Sequence, residues 1–194
     1  MKPLDQYVNV KDKYAIYYLG NAYEYVVQLI CLMPYIKKAL PSLKVDIYCN
    51  DDICESLGAK PLSSLHHWEY GFIRELTYDL DCNCIEKLLK ESKIPYGPVD
   101  IPLIEGSNLC IVCPDALLPN KSLTFTQVQK AKELAIKAGY AITDDFNKAG
   151  WVIGPENYPL FLAASRGLKT SLIPTGFGTD FYKTLFPSGE ILNV

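Results

Sequence analysis

Residues 150–175, GWVIGPENYPLFLAASRGLKTSLIPT, constrain the fold more than any other stretch of the chain. Trp151-Val152-Ile153 is a short apolar run of the size of a buried strand. Gly154-Pro155 breaks it, and Glu156-Asn157 supplies polar residues of the kind that cap helices. A proline is accepted in the first helical turn, where its missing N–H would have no intrahelical partner, so Pro159 sets the helix start near Asn157. Leu160, Leu162, Ala163 and Ala164 carry the helix to Gly167, a residue suited to the left-handed position after a helix end. Residues 169–173 then read as a second buried strand. The spacing predicts one βαβ unit. Its first turn lies at the carboxyl end of a parallel strand, where backbone N–H groups and the helix dipole favour a phosphate or carboxylate. From the unit alone, a structural corner without a ligand and a ligand-facing turn both stay open.

A length of 194 residues allows one large domain or two small ones. With 49% hydrophobic and 21% charged residues the composition is that of an ordinary globular protein. A formal net charge of −3 disfavours a nucleic-acid binder that relies on neutralising phosphates. The opening MKPLDQYVNVKDKY has no apolar core of a signal peptide, and the most apolar helix, near residues 25–36, contains Gln28 and Pro34 and is too short to span a bilayer. A cytosolic protein with no membrane span is expected. Seven cysteines, an odd number without a secretion signal, argue for reduced thiols over a disulfide framework. Cys110 and Cys113 have CxxC spacing, but in a strand they point to opposite faces and do not readily share an ion. Cys82, Cys84, His66 and His67 complete no four-ligand pattern, so no metal is expected.

In chain order, residues 13–19 (KYAIYYL) read as a strand ending at Gly20, and 22–40 as a long, well-buried helix in which Pro34 invites a kink. Residues 45–49 are a strand, 51–58 a short helix, 60–81 a loop with a short strand, and 84–93 an amphipathic helix. Pro95, Gly97, Pro98, Pro102 and Gly106 make 94–106 the most linker-like stretch. The second half repeats the alternation, with a strand at 108–113, a helix at 126–138, a strand at 140–143 and then the βαβ unit. A Gly-rich loop, 176–180, and a short terminal segment follow. The expected fold class is α/β: two small Rossmann-like halves, 1–104 and 105–194, with mainly parallel sheets facing a cleft.

Three stretches resemble the ADP-heptose:lipopolysaccharide heptosyltransferase family of GT-B glycosyltransferases. IGPENYPLFLAASRG, residues 153–167, aligns without a gap with a family pattern of the type VGNDSGPMHLAAALG, sharing Gly154, Pro159, Leu162, Ala163, Ala164 and Gly167. Gly178-Thr179-Asp180 is similar to the family's G-P-T-D segment. Cys113-Pro114-Asp115-Ala116, then Lys121 and the helix from Thr126, resemble its H-P-G-A-S loop, lysine and helix. Leu19-Gly20-Asn21, and later residues 39–47, resemble its L-G-D opening and the continuation of that half. Together these touch about half of the chain, in the family's order.

The resemblance implies a reduced GT-B-like protein with a nucleotide sugar on the C-terminal half and a hydroxyl acceptor on the N-terminal half. The donor is a substrate, and no cofactor is implied. Lys121 matches the family lysine and is expected to neutralise phosphate, with the backbone N–H groups of Asn157 and Tyr158 beside it. Glu156 is expected to accept from sugar or ribose hydroxyls, and Gly154, Thr175, Gly176 and Thr179 to line the same pocket. Gly20 belongs to the acceptor side. Asn21 stands where the family has an acidic base candidate, and an amide cannot take a proton in that way. Glu24, one helical turn on, is the replacement candidate, its other reading being a solvated or capping carboxylate. Lys121 is otherwise a loop lysine, and Tyr158 a rim aromatic. Three functions follow: a glycosyltransferase, a catalytically degenerate nucleotide- or sugar-binding module of the same fold, or an unrelated Rossmann-like protein. No G-x-G-x-x-G, G-x-S-x-G or P-loop sequence offers another chemistry.

Overall fold

A computed structural model describes residues 13–17, 23–75, 83–116, 119–176 and 178–194. The chain divides into two compact units, Met1–Gly97 and Pro98–Val194. The boundary expected after residue 104 therefore moves back. Residues 98–104 are no free linker: the Val99 N–H donates to the Leu185 carbonyl and the Ile104 N–H to the Gly167 carbonyl, each at 2.9 Å. Those bonds strap the stretch to the second unit.

The first unit holds strands β1 (Lys13–Tyr17), β2 (Lys44–Cys49), β3 (Lys60–Pro61) and β4 (Phe72–Glu75), with helices α1 (Tyr23–Ala39), α2 (Cys54–Leu57) and α3 (Cys84–Glu91). The sheet order is β3-β2-β1-β4, and each of these pairings is parallel. Tyr14, Ala15 and Ile16 of β1 are all buried, as in a strand covered on both faces. Helix α1 buries Val26, Leu29, Leu32 and Ile36 at helical spacing and continues through the exposed Pro34 to Ala39. Buried Gln28 accepts from Asn83 Nδ2 at 3.0 Å, while Asn83 Oδ1 caps α3 through the N–H groups of Ile85 and Glu86. One amide thus fixes α3 against α1.

The second unit holds β5 (Leu109–Val112), β6 (Ala141–Ile142), β7 (Trp151–Gly154), β8 (Lys169–Leu172) and β9 (Glu190–Ile191), with α4 (Phe125–Lys137), α5 (Tyr158–Ser165) and α6 (Thr179–Leu185). Its order is β6-β5-β7-β8-β9, again parallel at every one of these pairings. Side chains alternate across β7: Trp151 and Ile153 pack with Ala131 and Ala135 of α4, and Val152 packs with Ala163 of α5. The two helices therefore cover opposite faces, and their alanines permit close approach. A reciprocal Thr124–Gln127 capping box starts α4. Helix α6 and strand β9 stand where only a loop and a short terminal segment are expected from sequence.

Both sheets reverse their order of addition at one place. In the first, β2 and β3 add on one side of β1 and β4 on the other; in the second, β6 and β7 flank β5. Open α/β sheets bind ligands outside the carboxyl ends of their strands at such switch points.

Candidate functional site

The switch point of the second sheet is built by close backbone approach. A Cβ on Gly154 would lie 2.9 Å from the Cys113 carbonyl oxygen and 3.3 Å from both amide atoms of Asn157, so a glycine is required where β7 ends beside β5. The Cys113 N–H extends the ladder by donating to the Ile153 carbonyl at 2.8 Å. Asn157, only 3% exposed, then locks the two turns together. Its Nδ2 donates to the Cys113 and Asp115 carbonyls at 3.0 and 2.9 Å, and its Oδ1 caps α5 through the Leu160 N–H at 3.1 Å. The Asn157 main-chain N–H is itself committed to the Pro155 carbonyl at 2.7 Å. The expected donation of that N–H to a phosphate therefore gives way to a structural role, because the turn closes on itself.

Glu156 fastens the next loop to this corner. Its Oε2 accepts from the Thr175 N–H at 3.4 Å and from Thr175 Oγ1 at 3.1 Å, and its Oε1 accepts from Thr179 Oγ1 at 3.0 Å. The hydroxyls on this carboxylate are the protein's own, where sugar or ribose hydroxyls are expected from sequence. Gly178 makes the bend into α6 with φ 116°, a conformation that favours glycine. Lys121 reaches the same loop: a Cβ on Gly176 would lie 3.4 Å from its Cε and 3.8 Å from its Nζ. The Ser122 hydroxyl accepts from the Ala116 N–H at 2.9 Å and holds the chain that carries Lys121 against the turn after β5. Lys121, Gly154, Glu156, Asn157, Thr175, Gly176 and Thr179 are thus brought to one end of the sheet, with half-buried Tyr158 opening α5 beside them.

A cleft of about 790 Å3 adjoins this corner, lined by Cys113, Pro114, Asp115, Lys132, Thr143, Asp144 and Pro159 among others. It shares the Cys113–Asp115 turn with Asn157. The cleft residues Lys132 and Asp144 escape the sequence reading, and Asp115 enters it only within the Cys113–Ala116 motif, with no role of its own. Two aspartates directly after a strand were the available signal for Asp144, whereas nothing in the helical pattern marks Lys132. Burial, with the Asp115 carboxylate beside it, pushes the Cys113 thiol up to about 11. Its sulfur stays protonated at neutral pH and is a wall rather than a nucleophile.

In the first unit, Glu24 lies in the first turn of α1 and is 8% exposed. Burial pushes its carboxyl up to about 7. Gly20 and Asn21 lie outside the described residues. Among the described residues, no helix is long and apolar enough to cross a membrane.

Comparison with protein-family models finds no match, and comparison with the curated proteins finds none either. Among solved structures, the chain is similar to TibC, a bacterial iron-containing dodecameric glycosyltransferase from enterotoxigenic E. coli H10407. The superposition has a TM-score of 0.54 at 10% identity and covers 82% of this chain. The chain spans 57% of the length of that protein. At this identity the likeness is one of fold. It agrees with the expected class, two Rossmann-like units with parallel sheets in a reduced GT-B-like chain.

Proposed function

We propose that the second unit binds a nucleoside diphosphate sugar and that the protein transfers the sugar to a hydroxyl acceptor. The observation that carries this reading is the meeting of Lys121 with the loop fastened by Glu156 at the β5/β7 switch point, beside a cleft of nucleoside size. Departure of a diphosphate from the anomeric carbon builds negative charge on phosphate oxygens. A lysine ammonium already in place stabilises that charge without reorganisation. Lys121 takes this role. Asp115 and Asp144 offer acceptor-only carboxylates suited to ribose hydroxyls or a base amine, and Tyr158 borders the donor. Gly154 and Gly176 leave room for the close contacts, and Thr175 and Thr179 shape the wall.

The family resemblance adds the finer assignment, a heptose or hexose donor, and the structural likeness to a glycosyltransferase supports the reaction class. The acceptor hydroxyl must also give up a proton to a base. Glu24, one helical turn beyond the Asn21 that stands where the family has its acid, is the replacement candidate, and burial pushes its carboxyl up to about 7. The second reading, a binding module without turnover, is favoured by one observation: an amide, Asn21, occupies the position of the family's acid.

Titration of the full chain with adenine, guanine, cytosine and uracil nucleoside diphosphates, and with their sugars, separates these readings. The transfer reading expects saturable binding of at least one diphosphate, weakened about tenfold or more by Lys121→Ala, which corresponds to about 1.4 kcal/mol. It also expects sugar release to an acceptor or to water. Binding without sugar release leaves the module; no binding to any nucleotide contradicts both.

A further inference from the structure

Two aspartates follow β6 in the second unit, and the structure divides them between two tasks. Asp145 is committed to its own turn: its Oδ1 accepts from the Asn147 N–H at 3.1 Å, and its Oδ2 holds Lys148 Nζ at 3.0 Å. Thr143 is fixed to β5 by its N–H on the Cys110 carbonyl at 2.9 Å, and its Oγ1 accepts from the Asp145 N–H at 3.1 Å. Asp144, between them, is exposed and lines the cleft, as does half-buried Lys132 of α4. Among the described residues these two opposite charges form no ion pair with one another. An acceptor-only carboxylate and a donor-only ammonium thus line one cleft with their hydrogen-bonding capacity unspent. Both stand far from Lys121. Lys121 meets the loop after β8, and Asp144 follows β6, three strand spacings away in the order β6-β5-β7-β8. That is about 14 Å, the scale of an extended nucleoside diphosphate. A terminal phosphate on Lys121 therefore brings the nucleobase to Asp144 and Lys132.

We infer that the nucleobase is guanine, held by Asp144 and Lys132. This rests on the reading of the second unit as a nucleoside diphosphate site and names the substrate class of that same site. A carboxylate offers two acceptor oxygens side by side. Of guanine, adenine, cytosine and uracil, guanine alone sets two donors side by side to meet them, N1–H and the N2 amine. Its O6, next to N1–H, accepts from Lys132 Nζ. Adenine and cytosine each carry a ring-nitrogen lone pair beside their amine, and it would face the second carboxylate oxygen. Uracil has one N–H between two carbonyls, and one of those oxygens would do the same. Setting an acceptor against a carboxylate leaves both unpaired, a mismatch that discriminates more strongly than a lost contact. Asp115, on the turn after β5 between the two ends, takes the ribose hydroxyls. Ile142 and Pro159 supply apolar wall for a flat ring.

The test is calorimetric titration of the full chain with the diphosphates of guanosine, inosine, xanthosine, adenosine, cytidine and uridine. Guanosine diphosphate should bind at least tenfold more tightly than the adenine, cytosine and uracil compounds. Inosine diphosphate lacks the N2 amine and should bind severalfold more weakly than guanosine diphosphate. Asp144→Asn should weaken guanosine diphosphate at least tenfold and tighten xanthosine diphosphate, because the new amide donates to the carbonyl that xanthine carries in place of the amine. A merely structural role for Asp144 would not exchange one purine for the other. Lys132→Met should weaken the guanine and hypoxanthine compounds alike, since both keep O6, and leave uridine diphosphate within twofold. Equal affinity for the four common bases, or a preference for one other than guanine, overturns the inference while leaving the donor site standing. A guanine preference that survives Asp144→Asn, with no gain for xanthosine diphosphate, overturns the assignment to Asp144. Failure of the wild type to bind any of the six overturns the donor-site reading, and the inference with it.

Discussion

A single amide at Asn157 performs three tasks, and they can be separated by substitution. Its Oδ1 caps α5, while its Nδ2 bridges two carbonyls in the turn after β5. Asn157→Ala removes all three bonds in a buried place and should cost about 2–4 kcal/mol in chemical denaturation. Asn157→Asp keeps the cap but sets a carboxylate against two carbonyl oxygens, so it should recover little of that loss. Recovery to within about 0.5 kcal/mol of wild type would show that the bridge contributes nothing. The cap is legible in the sequence because capping is local. The bridge is not, because its partners lie 44 and 42 residues away. Glu24 gives a second test at this scale. Its folded value of about 7 lies above the ordinary 4.5, so the folded chain holds this proton more tightly than the unfolded chain. That contribution is complete below about pH 4.5 and is lost as pH rises through 7. Relative to Glu24→Gln, wild type should lose about 3 kcal/mol of unfolding free energy between pH 4.5 and pH 8. A difference that stays constant across that range would contradict it.

Among elements, the βαβ unit of β7, α5 and β8 is readable because each part carries its own signal: a four-residue apolar strand, an asparagine cap with proline in the first turn, and Gly167 at φ 76°. Helix α6 is not readable. Its seven residues are too few to establish a period, and Tyr182 is buried by distant partners, donating to Thr170 Oγ1 at 2.6 Å and meeting the Phe161 ring edge-on. Strand β9, two residues long, exists through its pairing with β8. The 98–104 strap is hidden for the reverse reason, since proline and glycine mark extended chain without telling whether it is free or bound. Two glycines isolate its contribution. Gly139 and Gly167 have φ of 87° and 76°, but a Cβ at Gly139 meets nothing within 4 Å, whereas one at Gly167 runs into the Pro102 carbonyl. Gly139→Ala should cost about 1–2 kcal/mol, the left-handed backbone penalty alone. Gly167→Ala should cost more and expose the Ile104 amide to hydrogen exchange. Equal costs with a protected Ile104 would show that the strap yields without loss.

For the whole molecule, the alternation of strand and helix makes the α/β class legible, and the order of strands does not follow from it. Which strand lies beside β1 or β5 is settled by contacts between distant segments. The two switch points therefore come from the structure. The division into units is legible to within the linker, and the strap's two main-chain bonds decide on which side its residues belong. The central claim is that the carboxyl end of the second sheet holds a nucleoside diphosphate. Amide hydrogen exchange of the full chain, with and without saturating nucleoside diphosphates, tests it most directly. The account predicts slower exchange at residues 113–116, 154–160 and 173–180, and a loss of that protection in Lys121→Ala at equal nucleotide concentration. Protection confined to other segments, with these three unchanged, would contradict it.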